Sequence, residues 1–364
     1  MQKKTKKILL FTNFALIIAF FSVIFIYVYF SLTDNLTNKL ITEKPMNFSI
    51  TLYGTENFMP NSLETFYVKY ERKTKLIKIL SVNTDTVVFR KKAKARSLKY
   101  SFFDTAKNDL NLALTNFYHD VFEMTNNSFT PDFYVTASYE SLAKFFKNDE
   151  FLKKLISTDE FENRDLQCVN QLELAQWVLD TFRKNAFSNI KNIRKNYALL
   201  DTSISKLSFA NMILYFKFSK AGILFFDLPA KYTKSRVEPD RDNVIDMLYT
   251  VYYPSANTEV TKRGGIVEVK NASGKPRMAE KAAWKLRENK IDVLEWSNFK
   301  TRYDKTLIKS YKGSYADALK AVEALGCGTI LISYNNRTYY EMSVFVGGDC
   351  EIYDKLDKRK EKGN

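Results

Sequence analysis

Residues 8–30 form a run of 23 without a single charge, interrupted by polar side chains only at Thr12, Asn13 and Ser22. An α-helix rises 1.5 Å per residue, so this run reaches across a hydrocarbon core of about 30 Å. It ends in Tyr27-Val28-Tyr29-Phe30, bulky residues suited to a membrane interface. A cleaved signal peptide is the rival reading, but its apolar region spans only about 7–15 residues and closes on small side chains. Lys3, Lys4, Lys6 and Lys7 precede the run, whereas Asp34, Lys39, Glu43 and Lys44 follow it with no net charge. The positive-inside rule then predicts a transmembrane helix within residues 1–30, its short tip in the cytoplasm and everything after Ser31 outside.

That orientation narrows the charge argument. The chain of 364 residues carries 56 Lys and Arg, 41 Asp and Glu and one histidine, a formal +15. Without the four leading lysines, 52 basic residues face 41 acidic ones, a formal +11 on the exported part. Such a surface favours anionic partners: membrane headgroups, acidic glycans or phosphate-bearing polymers. Nucleic acid is not expected on that side of a membrane. The length suits two domains, and 15% aromatic residues suffice for a buried core. Between Pro45 and Arg263 the only glycines are Gly54 and Gly222, which excludes a glycine-rich phosphate loop there. The lone His119 excludes a multi-histidine metal site. No P-loop, dinucleotide fingerprint or nucleophile elbow is present.

Residues 31–45 read as a stalk. Strands are predicted at 47–53, 65–70 and 76–82, the last two flanking a charged turn, with a short apolar run at 87–89. Leu110, Leu114, Phe117 and Val121 share one face of a helix over 107–124. A strand at 132–136 follows, then helices at 139–147 and 150–156. A stripe of Leu172, Ala175, Leu179 and Phe182 marks another helix, and 190–200 a further one. Together these predict a mixed α/β domain over 46–228. Pro229, Pro239 and Pro254 mark 229–263 as a linker, in which 244–253 could dock as a strand. Residues 264–353 then give a small βαββαββ domain, with strands at 266–269, 291–296, 306–310, 329–333 and 342–346 and helices at 279–289 and 315–325. The tail 354–364 is almost wholly charged and expected to be disordered.

The last 90 residues resemble the C-terminal domain of LytR-type envelope proteins. The matching pieces are Val267-Glu268-Val269-Lys270-Asn271-Ala272-Ser273-Gly274, Thr306-Leu307-Ile308-Lys309-Ser310, Leu325-Gly326 and Gly347-Gly348-Asp349, with Ala272 where the family carries glycine. Residues 46–228 in turn resemble a divergent LytR-CpsA-Psr (LCP) domain. The family's Arg-x-Asp-Thr corresponds to Ser62-Leu63-Glu64-Thr65, and its Ser-Ile-Pro-Arg-Asp-Thr to Ser81-Val82-Asn83-Thr84-Asp85-Thr86. Its later basic helix corresponds to residues 188–195, and its Tyr-x-Arg-x-Arg to 177–181, where both arginines are missing.

The resemblance implies transfer of a glycan polymer from a polyprenyl-pyrophosphate carrier to a peptidoglycan hydroxyl at the bacterial plasma membrane. Glu64 and Asp85 would be the catalytic carboxylates and would hold Mg²⁺, while Arg90, Lys91, Lys191 and Arg194 would bind the anionic substrate. The departures weigh against turnover. Glu64 is one methylene longer than the family's aspartate, and magnesium demands tight octahedral geometry. Thr84 and Ser62 replace arginines, and Lys191 is no substitute for a bidentate fork. The expectation is therefore an envelope protein that binds or scaffolds cell-wall glycan or polyprenyl-linked polymer with little or no catalysis. An active phosphotransferase and a partner-recruiting subunit of an envelope complex are the alternatives. Glu64 and Asp85 as ordinary hairpin-end carboxylates is the plain reading of the residues alone.

Cys168, Cys327 and Cys350 face an oxidising space. If 329–333 and 342–346 form a hairpin, a tight turn pairs Cys327 with Val344, and a longer loop places it opposite Cys350, within disulfide reach. Cys168 reads as a small buried hydrophobe. Trp177, Trp284 and Trp296 are candidates for stacking on sugar rings, with core packing the plainer expectation for Trp284.

Overall fold

The computed structural model describes residues 45–56, 58–71, 74–88, 95–125, 131–146, 164–184, 195–218, 221–233, 236–252 and 266–352, with 36, 39 and 191 singly. The expected anchor at 8–30, most of the expected stalk, the expected helix at 150–156 and the tail at 354–364 lie outside the described residues. Among those described, no helix is long and apolar enough to cross a membrane.

The chain opens with strands β1 (Met46–Thr55), β2 (Phe58–Glu71) and β3 (Leu76–Val82), paired antiparallel in turn. β2 begins well before the expected 65. Its register against β1 skips between Tyr53 and Thr55, and Pro60, with no N–H to give a ladder, falls opposite that irregularity. Alternation then sends Leu63 and Tyr67 into one apolar layer and Phe66 and Tyr70 into the other.

Short strands β4 (Val87–Val88) and β5 (Arg96–Ser97) precede two helices, α1 (Leu98–Ala106) and α2 (Leu110–Met124). The helix expected over 107–124 is α2, and α1 was not expected. Each starts on its own N-cap: Ser97 accepts from the Tyr100 N–H, and Asp109 from the Leu112 N–H at 3.0 Å. Then come β6 (Phe133–Ser138), α3 (Tyr139–Phe146), α4 (Arg164–Lys184), β7 (Asp201–Thr202), α5 (Lys206–Phe218) and β8 (Gly222–Asp227). Of the helix expected at 190–200, a single 3₁₀ turn at Tyr197–Leu199 has its full length among the described residues.

The stretch expected as a linker from 229 is ordered instead. It holds a small ribbon of β9 (Ala230–Tyr232) and β10 (Val237–Pro239), then α6 (Arg241–Met247). Val244, Met247, Leu248 and Tyr252 are all buried in the layer with α1 and α2. Pro229 lies between β8 and β9 and Pro239 ends β10, while Pro254 lies outside the described residues.

The C-terminal unit is β11 (Val267–Asn271), α7 (Met278–Glu288), β12 (Val293–Asn298), β13 (Leu307–Ser310), α8 (Tyr315–Leu325), β14 (Thr329–Ile332) and β15 (Met342–Val346), the predicted βαββαββ order. β14 and β15 are not a hairpin: β13 lies between them, parallel to β14 and antiparallel to β15.

All the longer strands join one mixed sheet of eleven, ordered β12-β11-β15-β13-β14-β8-β3-β2-β1-β6-β7. The join between the two halves is β14 against β8, with Leu331 opposite Phe225 and Ile332 opposite Phe226. Helices α3, α4 and α5 pack on one face around Phe48, Phe66, Tyr70, Leu172 and Phe209, and α1, α2 and α6 on the other. α7 and α8 cover Val267, Val269, Ile308 and Val344. Leu307, Leu331 and Phe345 point to the opposite face and join the layer around α4. The C-terminal unit thus borrows a helix from the first half to cover its second face.

Candidate functional site

Strand β2 delivers Glu64 to the same face as Phe66 and Tyr70. There its Oε1 accepts from Gln171 Nε2 at 3.1 Å, and Tyr139 also bonds to the carboxyl. Burial raises the Glu64 pKa above the ordinary carboxylate value, and the pull of Gln171, Tyr139 and Arg164 does not cancel it. Asp85 sits in the turn after β3, with its carboxylate 2.8 Å from Lys99 Nζ on α1 and its side chain 59% exposed. The turn is pinned by Thr84 Oγ1 donating to the Leu63 carbonyl at 2.8 Å and by Asp85 N–H donating to Asn83 Oδ1 at 3.0 Å.

The described contacts of the two carboxylates expected to share a metal are thus with different partners, Glu64 with Gln171 and Tyr139 and Asp85 with Lys99. Among the described residues no group of three or more His, Cys, Asp or Glu side chains is placed to hold a metal. Lys191 is exposed and adjoins neither carboxylate in any described contact. Arg90, Lys91 and Arg194 lie outside the described residues.

Around Glu64 the fold builds a different assembly. Arg164 opens α4 and donates from Nε and Nη2 to Asp227 Oδ1 at 3.0 and 2.6 Å, from Nη2 to Ser81 Oγ at 2.9 Å, and from Nη1 to Gln167 Oε1 at 2.7 Å. Ser81 Oγ in turn donates to Gln171 Oε1 at 2.7 Å. Asp227, Arg164, Ser81, Gln171 and Glu64 are thereby linked in one hydrogen-bonded chain. Burial alone would lower the Arg164 pKa, but the adjacent Asp227 charge outweighs it and holds the guanidinium protonated.

A cavity of about 200 Å³ opens beside this chain, where the sequence-distant halves meet. β3, β8, β14 and β13 run parallel and end together there, the edge at which open α/β sheets place their ligands. The first half contributes Arg164, Asp165, Asp227, Tyr232 and Asp240 to its wall, the second Lys309, Tyr311, Ser333 and Tyr334. Lys309 Nζ pairs with Asp165 Oδ1 at 2.7 Å. Burial, reinforced by Asp227, pushes the Tyr232 hydroxyl up to about 12. The seam is closed by Tyr334 Oη donating to Asp246 Oδ2 at 2.7 Å and Asn336 N–H donating to Asn243 Oδ1 at 3.1 Å. An ion pair between Lys305 and Glu173 adds to it.

Arg164, Gln171, Asp227 and Asp240 were not singled out from the sequence, and Ser81 entered only as the first residue of the hairpin motif. Asp227 carried a readable signal, a carboxylate ending the apolar strand Ile223-Leu224-Phe225-Phe226. A charge in such a position needs a buried partner.

Two remaining sequence features are placed plainly. Cys327 and Cys350 are disulfide-bonded, with Cα atoms 5.6 Å apart, although no β14–β15 hairpin brings them together. Cys168 is free and buried, and burial raises its thiol pKa. Trp284 and Trp296 are both exposed, against the expectation of core packing for Trp284, and the Arg287 guanidinium lies 5.7 and 4.9 Å from their ring centres.

Residues 266–349 match the family described as LytR cell envelope-related transcriptional attenuator. No curated protein matches the sequence. Among solved structures, the chain is similar to Bacillus subtilis TagV, at 14% identity over 56% of this chain and 94% of that one, with a TM-score of 0.43. It is also similar to a Streptococcus agalactiae protein, at 13% identity over 57% and 87% with a TM-score of 0.42. A transcriptional regulator from Enterococcus faecalis matches at 13% identity over 56% and 83%, with a TM-score of 0.41.

Proposed function

Residues 266–349 form a LytR-type C-terminal domain, and from that premise we propose that the chain is a bacterial cell-envelope protein related to the LytR-CpsA-Psr proteins. In this reading residues 8–30 anchor it in the plasma membrane with the body outside. It binds anionic cell-wall glycan or polyprenyl-linked polymer and turns over little or none of it.

The observation that supports this reading is that protein partners already engage both carboxylates that would hold the metal. Glu64 is tied to Gln171 and Tyr139, and Asp85 to Lys99. Removing one oriented charge-assisted contact from a transition state costs about 3–4 kcal/mol, or 100- to 1,000-fold in rate. With Ser62 and Thr84 where the motif carries arginines, two such contacts are missing and little rate is left to observe. The formal +11 of the exported part supplies the attraction for an anionic polymer.

One observation favours the second reading, a Mg²⁺-dependent phosphotransferase. Arg164 supplies a guanidinium two hydrogen-bonded side chains away from Glu64, where the sequence motif lacks its own arginines. The test is a paired one. The purified chain should be retained by peptidoglycan carrying anionic polymer and released by salt. A Mg²⁺-dependent pyrophosphatase assay on a polyprenyl-pyrophosphate substrate should stay at background. Turnover lost in Glu64→Gln would install the second reading in place of the first.

A further inference from the structure

Three side chains that the proposed function leaves unused meet on the outer edge of the C-terminal unit. β12 is the last strand of the sheet, and its parallel register against β11 slips by one residue: Val267 faces Val293, but Glu268 faces Glu295. An extra residue in a strand reverses the alternation of every side chain beyond it. Trp296 therefore stands opposite Val269, which is buried under α7, and shares its face of the sheet. Without the slip it would point to the other face. The irregularity thus sets Trp296 on the same side as Trp284 of α7, the two indoles 41% and 57% exposed.

Between the two rings lies a cation without an acid. Arg287 Nε and Nη2 both donate to the Val293 carbonyl, at 3.2 and 2.6 Å, which fixes the plane of the guanidinium. Its carbon lies 5.7 Å from the Trp284 ring centre and 4.9 Å from that of Trp296. Among the described residues Nη1 donates no hydrogen bond and no carboxylate pairs with the guanidinium. Other surface arginines of the unit are paired, Arg277 with Glu280 and Arg337 with Asp242. Two exposed indole faces around a fixed, unpaired guanidinium make an anion site with apolar flanks.

The surroundings select the partner. Glu280 and Glu288 stand one turn to either side of Trp284 on α7, so a broad anionic bilayer would meet two like charges. A peptide strand added to β12 would meet the slipped register, where a regular ladder breaks. A single narrow chain with apolar ring faces and acid groups fits. The guanidinium lies so close to both indoles that charge and stacking face must belong to one small unit. A sugar with its carboxylate on the ring meets that demand; a phosphodiester polymer carries its charge on the link between units.

We propose that Trp284, Arg287 and Trp296 bind a saccharide chain of ring-borne carboxylates, the indoles stacking on sugar faces and Arg287 Nη1 donating to a carboxylate. This deepens the proposed function, which ascribes polymer binding to net charge and names no surface, and it rests on that reading for the partner being a glycan.

The test is calorimetric titration of the purified full chain with trigalacturonic acid, beside neutral maltotriose, glucose 6-phosphate and a tetraglutamate peptide. The expected result is saturable binding of trigalacturonic acid, at least tenfold tighter than each of the other three. Trp284→Ala and Trp296→Ala should each weaken it tenfold or more, and Arg287→Ala should abolish the preference over maltotriose. Arg337→Ala removes an equal charge on the loop between β14 and β15 and should change nothing. Absence of saturable trigalacturonate binding, equal binding of any comparison ligand, parent-like binding by both tryptophan variants, or an equal loss in Arg337→Ala would each overturn the inference. Both tryptophans are exposed, so their variants decide the matter should Arg287→Ala fail to fold. Peptidoglycan retention without trigalacturonate binding sinks this surface and leaves the proposed function standing; trigalacturonate binding without retention does the opposite.

Discussion

Glu64 is a carboxyl whose protonated form the folded chain prefers. Its pKa is raised by burial, so the stability it contributes is fully present below the ordinary glutamate range and is lost as pH climbs through the raised value. Glu64→Gln keeps the shape and the Gln171 contact but stays neutral at every pH. The variant should therefore melt above the parent at about pH 8, by roughly 2–4 °C per 1 kcal/mol in a domain of this size, and match it near pH 4. Arg164 is the opposite case, a charge the fold requires. Its side chain and that of Asp227 are each 10% exposed. Arg164→Ala strands Asp227 without its partner and should cost about 3–5 kcal/mol by denaturant unfolding. Neither behaviour was legible from residue type. Motif comparison led to Glu64 through its sequence neighbours and paired it with Asp85, but which face each side chain takes depends on strand parity and on the helices above. Arg164 stands 83 residues from Ser81 and 63 from Asp227, so no local pattern announces the contact.

Elements with strong local signals were read well, and those decided by tertiary contact were not. The βαββαββ order follows from periodicity and from turn glycines that remain in place. α8 ends on Gly326 at φ 76°, with nothing within 4 Å of a would-be Cβ. Gly326→Ala should cost only the left-handed strain, about 1–2 kcal/mol. Gly347 is different in kind: a Cβ there would drive into the Lys305 carbonyl, which is backbone and has nowhere to go. Gly347→Ala should destabilise by clearly more than Gly326→Ala when both are compared by urea unfolding. The disulfide belongs to this scale as well, since it ties the turn before β14 to the exit of β15 across a sequence separation of 23. Closing a loop of that length is worth about 3 kcal/mol in the chain-entropy account. Cys350→Ser, or reduction, should lower stability by that amount in the same measurement. By contrast α6 was hidden among three prolines, and β8 with α5 was passed over entirely. A uniformly apolar strand such as Ile223-Leu224-Phe225-Phe226 has no alternation to betray it until its two flanking strands are known.

At the scale of the molecule, two sequence-distinct halves make one sheet. Ion pairs and hydrogen bonds at the seam, such as Lys309 with Asp165 and Tyr334 with Asp246, reinforce the β14–β8 join. The halves should therefore unfold together. Tryptophan fluorescence reports Trp177 on α4 and Trp284 and Trp296 in the C-terminal unit, and its melting curve should coincide with that of far-UV circular dichroism. Two resolved steps would contradict the shared core. The join also sets an order in time. β8 is complete at Asp227, but the strand that covers its open edge ends at Ile332. At roughly 5–20 residues per second, synthesis of the intervening hundred or so residues takes on the order of 5–20 s. Throughout that interval the nascent chain carries an apolar strand with one unpaired edge, the kind of template on which chains cross-pair. The last domain made is thus the stopper for the first, and a chaperone bound at β8 would be displaced only by the chain's own end.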